Sequence, residues 1–177
     1  MTRSQERTPA PPVVQGAPAA RLRDALRIVW WSQRGYRHGA AHGHPAARAL
    51  SALLWCVSWV VFPLSVLIQL ALLGRRRARY YMTPTGDAVL AITATAKGWQ
   101  VADHLCARPG TGQGRPLRDL VLPPVRVFAD ETGTMLYLTA VNKKMARTYA
   151  ADLPGLHDVG RAWPRGRRMR REPTPRP

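Results

Sequence analysis

Arg108-Pro109-Gly110-Thr111-Gly112-Gln113-Gly114, followed at once by Arg115-Pro116, is the run of residues in this chain best suited to hold an anion. Glycines let successive backbone amides converge on one point. Pro116 suits the first turn of a helix, and a helix N-terminus favours phosphate. A strand, a glycine loop and a helix start would together form a pyrophosphate cradle. A glycine run alone also makes ordinary tight turns, so the neighbouring elements must decide. His38, His42 and His44 lie in a Gly/Ala/Pro-rich stretch with no acidic or thiol partner, which reads as solvated histidines and not as a metal site. Cys56 and Cys106 are too few and too far apart in character to suggest a disulfide framework.

The elements that would position this loop are legible on both sides. Residues 88–96 (AVLAITATA) read as a buried strand, Lys97-Gly98 as a turn, and residues 99–106 (WQVADHLC) as its hairpin partner, carrying Asp103 and His104 toward the loop. Beyond it, residues 134–140 (TMLYLTA) read as a strand. Asn142 then caps a helix through Tyr149 that Pro154-Gly155 ends. Pro123-Pro124 is expected to end or kink the helix after the loop within two turns.

Over residues 85–160 this order resembles the GNAT superfamily of acetyl-CoA-dependent N-acyltransferases. In that family a Q/R-x-x-G-x-G/A loop and the following helix hold the CoA pyrophosphate, and the next strand and helix carry an Asn and a Tyr. Gly112 and Gly114 match the motif glycines, with Gly110 just before them, while Pro109 stands at the Q/R position and Arg108 one residue early. The resemblance implies acetyl-CoA as co-substrate, held by Arg108, Gly110, Thr111, Gly112, Gln113, Gly114 and Arg115. It also implies that Asn142 lies near the pantetheine arm and that Tyr149 protonates the departing thiolate. Acyl transfer to an amine then needs a base, for which Asp103 and His104 are the candidates, and a donor for the thioester oxygen, a backbone amide of the 99–107 strand. No counterpart is expected for the family's first strand and two helices, which build much of the acceptor site.

In their place stands an uncharged stretch, residues 49–74, closed by Arg75, Arg76 and Arg77. As a helix it would extend roughly 39 Å, more than the roughly 30 Å core of a bilayer, so one transmembrane helix is expected, kinked at Pro63. Clustered arginines on its C-terminal flank predict a cytoplasmic C-terminal part in a cell (inner) membrane, with Tyr80 and Tyr81 in an interfacial belt. Ser51, Ser58 and Ser65 recur every seven residues and offer a face for a homodimer.

The remaining organisation follows from composition. Residues 1–19 read as a disordered tail, 20–33 as an amphipathic helix, 34–48 as a linker and 161–177 as a basic disordered tail. The net charge of +17 points to anionic lipid. Nucleic acid is not expected, because only Trp163 interleaves with the arginines of that tail and no zinc or helix-turn-helix signature is present. Arginine bias with abundant Ala, Gly and Pro suggests a GC-rich bacterial genome. The expected fold class is therefore a membrane-anchored α/β protein: one transmembrane helix, then a truncated GNAT-like mixed sheet with helices. The expected function is acetyl transfer from acetyl-CoA to an unidentified amine. The alternative is a non-catalytic membrane protein whose degenerate domain and basic tail bind anionic lipid, nucleic acid or a protein partner. A third reading has a separate chain complete the acceptor site.

Overall fold

A computed structural model describes residues 8–42, 45–163 and 166–174. Its centre is a six-stranded sheet ordered β1-β2-β3-β4-β6-β5. The strands are β1 (Ala78–Met82), β2 (Ala88–Thr95), β3 (Gly98–Cys106), β4 (Leu136–Ala140), β5 (His157–Arg161) and β6 (Arg167–Arg171). All neighbouring pairs are antiparallel except β3 and β4, which run parallel and so need a crossover. That crossover is α4 (Arg115–Glu131), and α5 (Lys143–Asp152) follows β4. Ahead of the sheet lie α1 (Ala25–His42), α2 (Pro45–Val60) and α3 (Phe62–Leu73).

The near-continuous apolar run of β2 is explained by cover on both faces. Leu90, Ile92 and Ala94 face α4, where Leu117, Val121, Leu122, Val125 and Ala129 are fully buried. Val89 and Ala91 face the other way, onto Ile28 and Trp31 of α1. This packing also explains why Pro123-Pro124 does not end α4 after two turns: the helix runs on to Glu131. Both prolines lie on its exposed side, so burial of the opposite stripe offsets the lost backbone bonds.

Several expectations are corrected by the tertiary structure. The stretch 49–74 is no single helix: α2 and α3 meet at a break beside Pro63 with an 86° bend. No single helix among the described residues is long and apolar enough to cross a membrane. Tyr80 and Tyr81 are buried in β1 instead of lying in an interfacial belt. The 34–48 linker is largely helical, since α1 continues to His42 and α2 begins at Pro45. His44 lies outside the described residues.

Residues 8–19, expected to be disordered, are strapped across the sheet. Trp99 Nε1 donates to the Pro9 carbonyl (2.7 Å), Arg79 Nε to Pro11 (3.2 Å) and the Tyr81 hydroxyl to Pro12 (2.6 Å). Ala19 bridges Tyr81, and Val14 and Ala17 join the core. Residues 1–7 lie outside the described residues. Of the arginine-rich end, residues 164–165 and 175–177 lie outside the described residues, and the described part is not a tail: β6 pairs with both β4 and β5. Its inward-facing Arg171 is buried, gripping both carboxylate oxygens of Asp130 at 2.7 and 2.8 Å. The serine stripe is taken up inside the chain only in part. Ser51 is buried against Gly39, Ser58 donates to Gln33 Oε1 (2.7 Å), and Ser65 bonds its own Val61 carbonyl (3.0 Å).

Candidate active site

The ladder between β3 and β4 holds only from Trp99↔Leu136 to Val101↔Leu138, and beyond it the two strands have no paired residues. At that same point β3 bulges. Its register against β2 jumps from Ala102↔Ala91 to Leu105↔Val89, so that Asp103 and His104 stand opposite Leu90 alone. Asp103 adopts φ 46°, the one left-handed non-glycine conformation among the described residues. The bulge leaves Asp103 on the same face of the sheet as Ala102, which brings His104 onto the opposite face, that of Trp99 and Val101.

His104 points toward α4 and α5. Its Nε2 lies 3.0 Å from the carbonyl of Gly114 and its Nδ1 3.0 Å from the Tyr149 hydroxyl. A carbonyl can only accept, so Nε2 carries the proton and Nδ1 accepts from the phenol. Burial first, and the nearby Arg118 guanidinium second, push the His104 pKa down to about 4, so the ring is neutral. Burial likewise raises the Tyr149 pKa, partly opposed by Arg118, and keeps the phenol protonated. Arg118 lies over the Tyr149 ring at 5.7 Å and pairs with Asp152 at 2.6 Å. Sequence reading missed Arg118 and Asp152. Their signal was present only as a cation on the apolar side of one helix and an acid at the end of another.

Above His104 sits the glycine loop. Gly110 and Gly112 take φ of 85° and 80°, conformations that favour glycine. The loop is tied from within: Gln113 Oε1 accepts from the Arg108 amide (3.0 Å), Thr111 Oγ1 donates to the Arg108 carbonyl (2.7 Å), and the Arg115 amide donates to Gly112 (2.9 Å). The amides of Gly112, Gln113 and Gly114 have no partner among the described residues. They stand at the start of α4, where Gly114 is the N-cap and Pro116 lies in the first turn. Arg108 and Arg115 are exposed at the loop's two ends, Arg115 near Asp119 at 3.6 Å. Gly114 is close-packed: a Cβ there would meet His104 Nε2 at 2.3 Å.

Asp103 points to the opposite face and accepts from the Tyr80 hydroxyl at 3.0 Å. Burial, then the Asp103 charge, raise the Tyr80 pKa, so that phenol too stays protonated. Asn142 caps α5, its Oδ1 accepting from the Met145 amide at 2.9 Å. It lines a cavity of about 1160 Å³ with His38 and His42 of α1, Lys143, Arg161 and Arg167. His38 also packs on Gly110 and stacks on His42, so this cavity adjoins the glycine loop. No group of three or more metal-ligating side chains occurs among the described residues.

The chain is similar in structure to an enzyme described as PaiA N-acetyltransferase from Thermoplasma acidophilum in complex with coenzyme A. The TM-score is 0.58 at 10% identity, over 86% of this chain and 95% of that one. A Corynebacterium glutamicum protein, described as histone acetyltransferase HPA2 and related acetyltransferase, matches with TM-score 0.55 at 14% identity, over 92% and 98%. An acetyltransferase from Thermus thermophilus matches with TM-score 0.52 at 15% identity, over 93% and 99%. No family model and no curated protein matches the sequence.

At these identities the likeness is one of fold: this chain has the GNAT fold. Because it covers almost the full length of those chains, the expectation of a truncated domain is corrected. Helices α1 to α3 and the Ala19–Tyr81 bridge occupy the region ahead of the sheet that was expected to lack the family's first strand and two helices.

Proposed function

We propose that this chain is an N-acetyltransferase using acetyl-CoA and an amine acceptor. The observation that carries the reading is the Tyr149 hydroxyl held by His104 beneath the glycine loop, where β3 and β4 part. The pyrophosphate of acetyl-CoA would lie on the amides of Gly112, Gln113 and Gly114, with Arg108, Thr111 and Arg115 around it. The positive end of α4 adds to their attraction. The thioester would reach into the gap between the strands, with Asn142 along its path. The coenzyme A complex of the Thermoplasma enzyme supports this choice of co-substrate.

The chemistry divides among the residues by geometry. The acceptor nitrogen attacks the thioester carbon, a C–N bond forms and the C–S bond breaks. The oxygen's developing charge would meet a β3 amide past Val101, where the strand has lost its β4 partner. The leaving sulfur takes the Tyr149 proton, and the raised pKa of that phenol keeps the proton available at neutral pH. His104, neutral and with both nitrogens engaged, is a poor base and acts as a positioning residue that aims the phenol. Asp103, exposed at the bulge, remains the candidate to accept the amine's proton. Lys143, Arg161 and Arg167 around the adjoining cavity favour an anionic portion of whichever ligand fills it.

The test is calorimetric titration of acetyl-CoA into the full chain, alongside a Gly112→Asp variant, whose Cβ meets open space, with the variant's fold checked by circular dichroism. Micromolar binding that the variant loses supports the cradle. Absence of heat at millimolar ligand overturns the reading and returns the chain to a non-catalytic role.

A further inference from the structure

Leu72 and Leu73 at the end of α3 pack on the core, but much of the apolar surface of α2 and α3 faces outward. Their buried residues are Ser51 and Gln69, whereas Leu53, Val57, Val60, Leu64, Leu67 and Ile68 are exposed, Val60 at 83%. A helix pair covered only by water has the reverse arrangement, and an apolar patch of this extent marks a surface made for a partner. The face continues onto α1, where exposed Trp30 meets exposed Trp59 edge-on at 5.8 Å beside exposed Leu26.

Charge identifies the partner. The sequence carries no charge from residue 49 to 74, and the ends of that stretch are marked by exposed arginines: Arg48 in the first turn of α2, and Arg75, Arg76 and Arg77 just after α3. A second copy would bring these rims toward identical rims on a molecule of net charge +17. An anionic lipid surface instead neutralises them while its acyl layer takes the leucines and valines, and tryptophan suits the boundary between the two. With 16 and 12 residues, α2 and α3 extend roughly 24 and 18 Å, each short of a roughly 30 Å hydrocarbon core, and they diverge by 86°.

We propose that the bent α2–α3 pair is an interfacial anchor: its apolar outer face sits in the headgroup and upper acyl layer of an anionic membrane, and the arginines at both ends stay on the same side. This inference does not depend on the acetyl-transfer reading.

The test is sedimentation of the full chain with phosphatidylcholine vesicles, with and without phosphatidylglycerol. The expected result is binding that phosphatidylglycerol strengthens about tenfold or more, and that a Val60→Asp, Leu67→Asp double variant weakens by at least about tenfold. Both positions are exposed, so the variant should keep its circular dichroism spectrum and melting temperature. A chain that stays in the supernatant with both vesicles, or one whose binding ignores the double substitution, overturns the proposal. A dimer that the double variant dissociates, without vesicle binding, overturns it in favour of a second copy.

Discussion

The Tyr149 hydroxyl of α5 donates to Nδ1 of His104 on β3 across 3.0 Å, while the same imidazole's Nε2 donates to the Gly114 carbonyl at the start of α4. One ring thereby fixes a phenol, a strand bulge and a glycine loop relative to one another. Arg118 over the phenol and Asp152 behind Arg118 close the arrangement from the helix side.

Replacing Tyr149 by Phe removes the proton that the leaving sulfur would take and little of the packing. Turnover, followed by release of free thiol from acetyl-CoA, should fall by about 10²-fold or more with acetyl-CoA affinity nearly unchanged. Undiminished turnover would remove Tyr149 as the acid.

Gly112 and Gly114 should respond differently to alanine. A Cβ on Gly112 meets open space and suffers only its φ of 80°, a penalty of about 1–2 kcal/mol. A Cβ on Gly114 collides with the buried His104 ring, so Gly114→Ala should lower the melting temperature further and disturb the Tyr149 proton acceptor. Equal melting temperatures for the two variants would contradict this packing.

Buried His104 gives folding a pH dependence. Its folded pKa of about 4 lies below the ordinary value of 6.5, so the unfolded chain binds the extra proton. The contribution is full above pH 6.5 and is lost as pH falls toward 4, by on the order of 3 kcal/mol. Denaturant unfolding of the wild type and of His104→Asn between pH 4 and 7 should show a shallower slope in the variant.

Asp103→Asn keeps an oxygen for the Tyr80 hydroxyl but cannot take a proton. If Asp103 is the base, kcat/KM for the amine should fall by about 10²-fold with the fold intact by circular dichroism. An unchanged rate would leave the Asp103–Tyr80 contact as structural only.

Arg171 is buried with both guanidinium ends on Asp130, and that pair holds Asp130 well below the usual carboxylate range. Arg171→Ala strands the carboxylate and should destabilise the domain by about 3–5 kcal/mol in urea unfolding. A change within experimental error would mean that the last strand contributes little to the sheet.

Local pattern was enough for the strand hairpin around Lys97-Gly98, the glycine loop, the strand 134–140 and the Asn142 cap, because each is set by neighbours in sequence: alternation or apolar runs, turn glycines, a side chain bonding the amide three residues on. From these the sequence by itself determined the order of elements on which the GNAT resemblance rests and offered Asp103 and His104 as candidates, while Tyr149 followed from the resemblance. What it could not assign were the faces. Unbroken alternation from Trp99 and Val101 would put Asp103 on the α4 and α5 side and His104 on the other; the bulge inverts this and brings His104 into hydrogen-bond reach of both Tyr149 and Gly114. Charge and apolarity also misled where partners are distant. Arg171 reads as a tail residue until Asp130, 41 positions away, is beside it, and residues 49–74 read as one span until α1 draws Ser51 and Ser58 inward and the helix breaks at Val61, two residues before Pro63. Tertiary contacts decided these points because the free energy of an arginine, a serine or an apolar helix depends on what lies across from it, and that is not written in the residues on either side.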